Sequence, residues 1–168
     1  LYGDMSGRVM SILADLAPEL EVYSIDEAFV NLVGIQEIQS LGAKIVNQVT
    51  RGTGIPVSLG IASTKTLAKV ANKFAKKYPA YNRICIIDTE EKRIKALQLT
   101  DISDVWGIGR RQAAKLEKQG VKTAYDFTQL SSSWVRKNMT VVGERTWKEL
   151  CGISCIDMES APPAKKQI

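Results

Sequence analysis

The sequence predicts an α+β protein: a partial, mostly antiparallel sheet with helices, followed by a small all-helical region. Two observations support this class. Helical and strand patterns alternate through the first half of the chain, as in a layered domain of sheet and helices. From about residue 89 onward only short helical segments remain, and glycines separate them. The change of pattern therefore predicts two structural regions.

Three helices and four strands are predicted in the first half. Apolar residues near the N-terminus recur at steps of three and four until Pro18 ends the run, and Ser63 is a suitable helix cap. Runs rich in β-branched residues indicate the strands. The predicted helices cover residues 2–17, 36–50 and 64–77. The predicted strands cover residues 20–25, 28–33, 56–62 and 83–88.

The second half is predicted to contain five short helices. They cover residues 89–97, 109–119, 123–130, 132–138 and 142–150. We expect a first domain over residues 1–80, a helical domain over 81–155 and a linker over 156–168. In this division the strand at 83–88 returns to the sheet of the first domain.

The composition restricts the possible chemistry. The chain has no histidine, which excludes every mechanism that uses a histidine base, so carboxylates, lysines or a bound metal must carry any reaction. Three cysteines without a CxxC argue against a disulfide framework and a zinc site. A net charge of +5 indicates, weakly, a polyanionic partner. No apolar run is long enough to cross a membrane, so a cytoplasmic location is expected.

Two adjacent acids, Asp26 and Glu27, lie between two predicted strands in EVYSIDEAFVNLVG. Acids in a solvated turn are common, and that interpretation stays open. However, the turn lacks the Asn-Gly type of sequence, and Ile25 and Ala28 flank the acids. Carboxylates held together in partly apolar surroundings repel, so protonation or a cation must neutralise them. Oxygen ligands suit Mg²⁺, and phosphoryl transfer with paired metals is the reaction class that fits.

The predicted helix in GIASTKTLAKVANKFAKK carries a row of lysines. A solvated basic face is one interpretation of this pattern. Lys65, however, lies in the first turn, where free backbone N–H groups and the positive helix end favour an anion. The sequence therefore makes Lys65 a candidate contact for a triphosphate.

The segment ISDVWGIGRRQAAKLEKQG matches the pattern of a helix-hairpin-helix. Gly107, Ile108 and Gly109 form its Gly-apolar-Gly hairpin, which brings backbone N–H groups close to a DNA phosphate. Arg110 and Arg111 add positive charge at the start of the next helix. An ordinary helix corner is the weaker alternative. Such contacts hold a protein on DNA without reading its sequence.

These three motifs, in this order, resemble the Y-family translesion DNA polymerases, specifically the bacterial UmuC-type catalytic subunit. YSIDEAF is similar to the palm acidic motif, GIASTKTLAKVAN to the triphosphate-binding helix and DVWGIGRRQAAKL to the thumb hairpin. The resemblance implies error-prone addition of deoxynucleotides to a primer during DNA repair and the SOS response. It also implies that Asp26 and Glu27 bind two Mg²⁺ ions with an earlier aspartate, and that Lys65 contacts the triphosphate.

The resemblance also implies what this chain lacks. The first metal-binding aspartate, the steric-gate aromatic and the fingers domain are expected before Leu1, and a little-finger domain after the linker. The chain alone is therefore expected to be inactive. By resemblance the partners are primer-template DNA, a deoxynucleoside triphosphate, a UmuD-type accessory dimer, a recombinase filament and a sliding clamp. An exposed edge of the partial palm sheet predicts self-association.

Two other functions stay open from the sequence. The chain is alternatively a non-catalytic DNA-binding module, in which the helical hairpin contacts phosphates and the acids are turn residues. A third possibility, with less support, is that the basic helix binds a protein partner.

Overall fold

The computed structural model describes residues 2–158. These residues form two compact units, one of residues 2–58 with 157–158 and one of Leu59–Ile156. The expected domains 1–80, 81–155 and 156–168 stay a prediction. The compact units divide earlier along the chain, because the strand that precedes the lysine-rich helix pairs with the strand that follows it.

The first unit combines two helices with a β-hairpin. Strands β1 and β2 pair antiparallel, with Leu20 opposite Val30 and Val22 opposite Ala28. The core of this unit is small, and its fully buried apolar side chains come mainly from one helix, at Ile45 and its neighbours in the sequence. The elements are α1 (Tyr2–Leu16), β1 (Glu19–Val22), β2 (Ala28–Asn31) and α2 (Ile38–Thr53).

A parallel pair of strands opens the second unit. Strand β3 (Leu59–Ile61) pairs with β4 (Ile84–Ile86), and α3 (Lys65–Lys77) connects them. A parallel pair needs such a crossover connection, usually a helix. Gly60 is required here because a Cβ at this position would lie 2.2 Å from the carbonyl oxygen of Ala68 and from the backbone nitrogen of Asn72. The strand therefore packs directly against the helix backbone.

The rest of the second unit is helical. Threonine or serine side chains cap α4, α6, α7 and α8, each accepting a hydrogen bond from a backbone N–H of the first turn. The core contains Leu67, Leu97, Leu116, Phe127 and Leu150, all at most 1% exposed. The elements are α4 (Glu90–Gln98), α5 (Arg110–Lys118), α6 (Ala124–Thr128), α7 (Ser132–Asn138) and α8 (Val141–Leu150), with short 3-10 helices at Pro79–Tyr81 and Ile102–Asp104.

The predicted α+β class is confirmed, and all eight α-helices occur close to their predicted positions. The strands are shorter than predicted. The sheet also differs from the mostly antiparallel one expected, since it consists of two separate pairs and β3–β4 is parallel. Sequence patterns identify strands but do not fix which strands pair. Among residues 2–158 no helix is both long enough and apolar enough to span a bilayer.

Candidate functional site

The two predicted metal ligands lie in the turn that joins β1 to β2. The backbone N–H groups of Tyr23 and Ser24 both donate to the carbonyl oxygen of Glu27, at 3.0 Å each. The Ser24 hydroxyl donates to the Asp26 carboxylate at 2.8 Å. This longer turn explains why the sequence lacks the Asn-Gly pair of a two-residue hairpin.

A further hydrogen bond joins this turn to helix α1, where the Ser6 hydroxyl donates to the carbonyl oxygen of Ile25. The acids themselves differ in exposure, because Asp26 is exposed and Glu27 is half-buried. The expectation of partly apolar surroundings is therefore wrong for Asp26. Water solvates a carboxylate in this position, so its presence alone does not require a cation. The support for a metal site at this turn is therefore that two carboxylates, those of Asp26 and Glu27, are adjacent in the sequence.

The start of helix α3 carries the predicted triphosphate contact, Lys65, which is half-buried. The backbone N–H groups at the start of this helix are not all free, contrary to the expectation from the sequence. The N–H of Leu67 donates to the Thr64 side chain at 3.2 Å, and that of Thr66 donates to the Glu149 carboxylate at 2.9 Å. The protein's own groups thus already occupy two donors of the first turn, and a role for Lys65 must come from its side chain.

Glu149, on helix α8, is the residue that sequence reasoning missed. Its side chain is fully buried, and one carboxylate oxygen accepts hydrogen bonds from the backbone N–H and the hydroxyl of Thr66. The other oxygen accepts from the backbone N–H groups of Cys155 and Ile156, at 3.1 and 3.0 Å. One carboxylate therefore joins the start of α3 to the segment that follows α8.

A signal for Glu149 was present in the sequence. Glu149 follows the buried Thr146 by three residues and precedes the buried Leu150, so it belongs to the inward face of α8. An acid on a buried face requires partners. The partner of one carboxylate oxygen, Thr66, lies 83 residues away along the chain, and no local pattern predicts it.

The predicted hairpin lies between the 3-10 helix Ile102–Asp104 and α5. Gly107 has a φ of 89°, which favours glycine, and a Cβ there would lie 2.2 Å from the Thr146 hydroxyl oxygen. That hydroxyl donates to the carbonyl oxygen of Trp106 at 3.2 Å, which joins the hairpin to α8. Ile108 is buried, and Gly109 caps α5 at its N-terminus.

The two arginines that follow the hairpin occupy the first turn of α5. Arg110 and Arg111 are exposed, and within the described part of the chain neither forms an ion pair. Beside them the ammonium of Lys69 lies 5.3 Å from the ring centre of Trp106. The structure thus places the exposed Gly109 and both exposed arginines together at the start of α5, directly after the half-buried Gly107.

The predicted site residues belong to different compact units. Asp26 and Glu27 lie in the first unit, whereas Lys65 and the hairpin lie in the second. Among residues 2–158 no group of three or more histidine, cysteine, aspartate or glutamate side chains is arranged to hold a metal ion.

Comparisons with known proteins agree with the motifs. The impB/mucB/samB family profile matches residues 1–73. The whole chain is 43% identical to the protein ImpB of Salmonella typhimurium and 42% identical to UmuC of the same species, and it covers 41% of each. It is also 32% identical to DNA polymerase IV of Saccharolobus solfataricus over 92% of this chain and 43% of that protein. The chain thus spans about two fifths of the length of these relatives.

Solved structures with the same fold include DNA polymerases. A DinB family error-prone DNA polymerase from Sulfolobus solfataricus superposes with a TM-score of 0.75 and 25% identity, over 94% of this chain and 48% of that one. An insertion ternary complex of Dbh DNA polymerase gives a TM-score of 0.71 and 26% identity, over 89% and 43% of the two chains.

Proposed function

We propose that the chain, which is similar to the UmuC-type, Y-family DNA polymerases, forms part of a translesion DNA polymerase. The proposed reaction adds deoxynucleotides to a primer by phosphoryl transfer with two metal ions. The observation that carries the proposal is the acidic turn, in which Asp26 and Glu27 are adjacent between two paired strands. Homology over the full chain to UmuC supports it.

The acidic turn fits part of a Mg²⁺ site. Mg²⁺ prefers oxygen ligands and is bound through one or two carboxylates together with substrate phosphates. Asp26 is open to solvent and the Ser24 hydroxyl orients its carboxylate, while Glu27 closes the turn through its backbone. When bound, the metal ions would neutralise charge on the transferred phosphate and activate the attacking oxygen. Among residues 2–158 no third such ligand is grouped with the two acids, and we propose that it comes from outside this chain and that the chain alone is inactive.

The test is primer extension by the full-length protein that contains this chain. Asp26→Asn and Glu27→Gln remove charge but keep the size of the side chains. We expect each to lower the rate of nucleotide incorporation by about a hundredfold or more, since charge stabilisation of the transition state is lost. DNA affinity should stay within about twofold, because neither acid belongs to the proposed DNA contact.

Two results would contradict this proposal. Unchanged incorporation by both variants would remove the acids from the reaction, and extension by the isolated chain would show that no further ligand is needed. Glu117→Gln is a matched control, since Glu117 is an exposed acid in the other unit.

We propose that the hairpin before α5 binds DNA phosphates. Gly109 is exposed and open space surrounds the position of its missing Cβ, so a phosphate can approach its backbone, and Arg110 and Arg111 are exposed beside it. Replacing both arginines by alanine should weaken duplex binding for every sequence. The slope of log affinity against log salt should fall by about 0.9 for each phosphate that the variant no longer neutralises. Equal slopes for wild type and variant would exclude a role for these arginines.

For Lys65 we propose a contact between its side chain and the triphosphate of the incoming nucleotide. The support is its position in the first turn of α3 and the resemblance of this helix to the corresponding family motif. Because the Glu149 carboxylate accepts from the Thr66 N–H, the backbone of this turn adds less to the contact than a free helix end would.

A non-catalytic DNA-binding module is the second candidate function. The observation in its favour is that the second unit contains the hairpin and its own hydrophobic core, while the acids lie elsewhere. The variants at Asp26 and Glu27 separate the two functions, since a module does not depend on these acids.

The proposed partners are those of the family: primer-template DNA, a deoxynucleoside triphosphate, a UmuD-type dimer, a recombinase filament and a sliding clamp, in the bacterial cytoplasm. We also propose self-association of the isolated chain. The β1–β2 hairpin has no further strand within the described residues, and Val22, Ile25 and Val33 are exposed nearby. Light scattering should show dimers or larger species, and a clean monomer would count against this proposal.

A further inference from the structure

Two exposed tyrosines lie together where helix α3 ends. Tyr78 and Tyr81 are 38% and 44% exposed, and their rings meet edge to face with centres 6.3 Å apart. Tyr78 also stacks on the buried ring of Phe74, at 5.8 Å and an interplanar angle of 13°. The pair therefore presents aromatic surface to solvent from a fixed base in the core.

The second ring is fixed as well. The Tyr81 ring packs edge to face against Tyr78, and burial raises the pKa of Tyr81, with the neighbouring Cys85 acting in the same direction. A tyrosine is neutral at physiological pH, so this ring does not repel the phosphate of a bound nucleotide. An aromatic pair held in place in this way loses little side-chain entropy on binding a ligand.

Positive charge surrounds the two rings. Lys76, Lys77 and Arg83 are exposed, and the segment 76–83 contains no acidic residue. The Lys77 ammonium lies 5.5 Å from the centre of the Tyr78 ring. Within the described part of the chain, Lys76 and Arg83 form no ion pair, so both charges are available to an anion.

The backbone that carries Arg83 is in an unusual conformation. Asn82 and Arg83 have φ angles of 52° and 70°, and they are the two non-glycine residues among those described with positive φ. A bulky residue seldom adopts this conformation, and such outliers cluster at functional sites. The carbonyl oxygen of Arg83 accepts a hydrogen bond from the Leu59 N–H at 2.8 Å, which holds the turn against β3.

We propose that Tyr78 and Tyr81, with Lys76, Lys77 and Arg83, form a binding site for single-stranded DNA. Bases would stack on the tyrosine rings and phosphates would lie against the three cations, the combination that single-strand-binding surfaces use. Charge complementarity and exposed aromatic rings favour this occupant over an apolar peptide. The site is separate in sequence from the hairpin at 105–109 and does not depend on the polymerase proposal.

The test compares two strands of equal charge. Fluorescence anisotropy measures binding of the full 168-residue chain to a thymidine strand of about 12 nucleotides and to an abasic strand of the same length. We expect the wild type to prefer the thymidine strand about fivefold or more, since each stacked base contributes to affinity. The double exchange Tyr78→Leu with Tyr81→Leu should abolish this preference while the abasic strand still binds.

Two control variants distinguish the loss of base stacking from the loss of folded protein. The pair Tyr78→Phe with Tyr81→Phe keeps the aromatic faces and should keep the preference. Tyr23→Leu, a matched change at another exposed tyrosine, should leave it unchanged. The measured quantity is the ratio of the affinities for the two strands. A smaller fraction of folded protein lowers both affinities equally and leaves this ratio unchanged. An unchanged preference in the double leucine variant, or no preference in the wild type, would overturn the proposal.

Discussion

The two compact units differ in how much of their own hydrophobic surface they bury. Every residue of the main hydrophobic cluster, from Leu67 to Leu150, belongs to the unit that contains the hairpin. The unit that contains Asp26 and Glu27 buries a short row of residues on α2, and it leaves Val33 85% exposed and Ile25 52% exposed. The proposed DNA contact thus lies on a well-packed scaffold, whereas the acids lie on a thinly packed one.

This difference indicates how the proposed functions are divided. Phosphate contacts by a hairpin need a rigid backbone, which the buried Ile108 and the Thr146 hydrogen bond to Trp106 provide. The acidic turn is joined to helix α1 by the hydrogen bond from Ser6 to Ile25. All three tryptophans, at 106, 134 and 147, lie in the second unit, so tryptophan fluorescence reports on that unit alone.

The largest expected effect on stability is at Glu149. Glu149→Leu removes the acceptor of the buried Thr66 N–H and of the half-buried Cys155 and Ile156 N–H groups, and a buried N–H without an acceptor costs about 1–3 kcal/mol. We expect the second unit to lose about 3 kcal/mol or more of its free energy of unfolding. Urea titration followed by tryptophan fluorescence measures this loss.

The exposed Glu117 gives the control for that experiment. Glu117→Leu makes the same chemical change on the surface and should alter the free energy of unfolding by less than about 0.5 kcal/mol. Equal effects of the two exchanges would show that the hydrogen bonds of Glu149 do not stabilise the unit.

Alanine in place of glycine should act in opposite directions in the two units. Gly60→Ala places a Cβ against the backbone of α3 and should destabilise the second unit by about 1–3 kcal/mol. At Gly7, in helix α1, nothing lies within 4 Å of the added Cβ, so Gly7→Ala should stabilise the first unit by about 1 kcal/mol. Circular dichroism and tryptophan fluorescence together distinguish the units. A change of the same sign in the free energy of unfolding of both units would contradict this prediction.

The smallest expected effect is a pH dependence in the second unit. Hydrogen bonds from the backbone N–H groups of Lys122 and Thr123 lower the pKa of Asp126. A lowered pKa in the folded state stabilises the protein above the unfolded value of 3.8, and this stability is lost as the pH falls through the folded pKa. Asp126→Asn should therefore flatten the decline of stability in acid by less than about 0.5 kcal/mol, because solvent screens this partly exposed carboxylate. Asp4→Asn, the same exchange in the first unit, should leave the tryptophan-detected curve unchanged.

Local patterns in the sequence predicted the helices well, because apolar periodicity and capping residues are local properties. The prediction of a helix over 132–138 agrees with α7, and Gly107 lies in a turn with positive φ, while Gly109 is the N-cap of α5. The parallel pairing of β3 with β4 was not predictable, since it depends on how α3 packs. The exposure of Asp26 likewise follows from the geometry of a turn longer than the two-residue type, and the sequence alone does not define it.

The central claim is that the paired acids act by binding a divalent cation. The most direct measurement is a titration of Mn²⁺, detected by electron paramagnetic resonance, into the full-length protein with primer-template DNA and a non-hydrolysable nucleotide. Bound Mn²⁺ should be present in the wild type and greatly reduced when both Asp26 and Glu27 are alanine. Equal binding by the two proteins would contradict the claim and leave the acids as residues of a solvated turn.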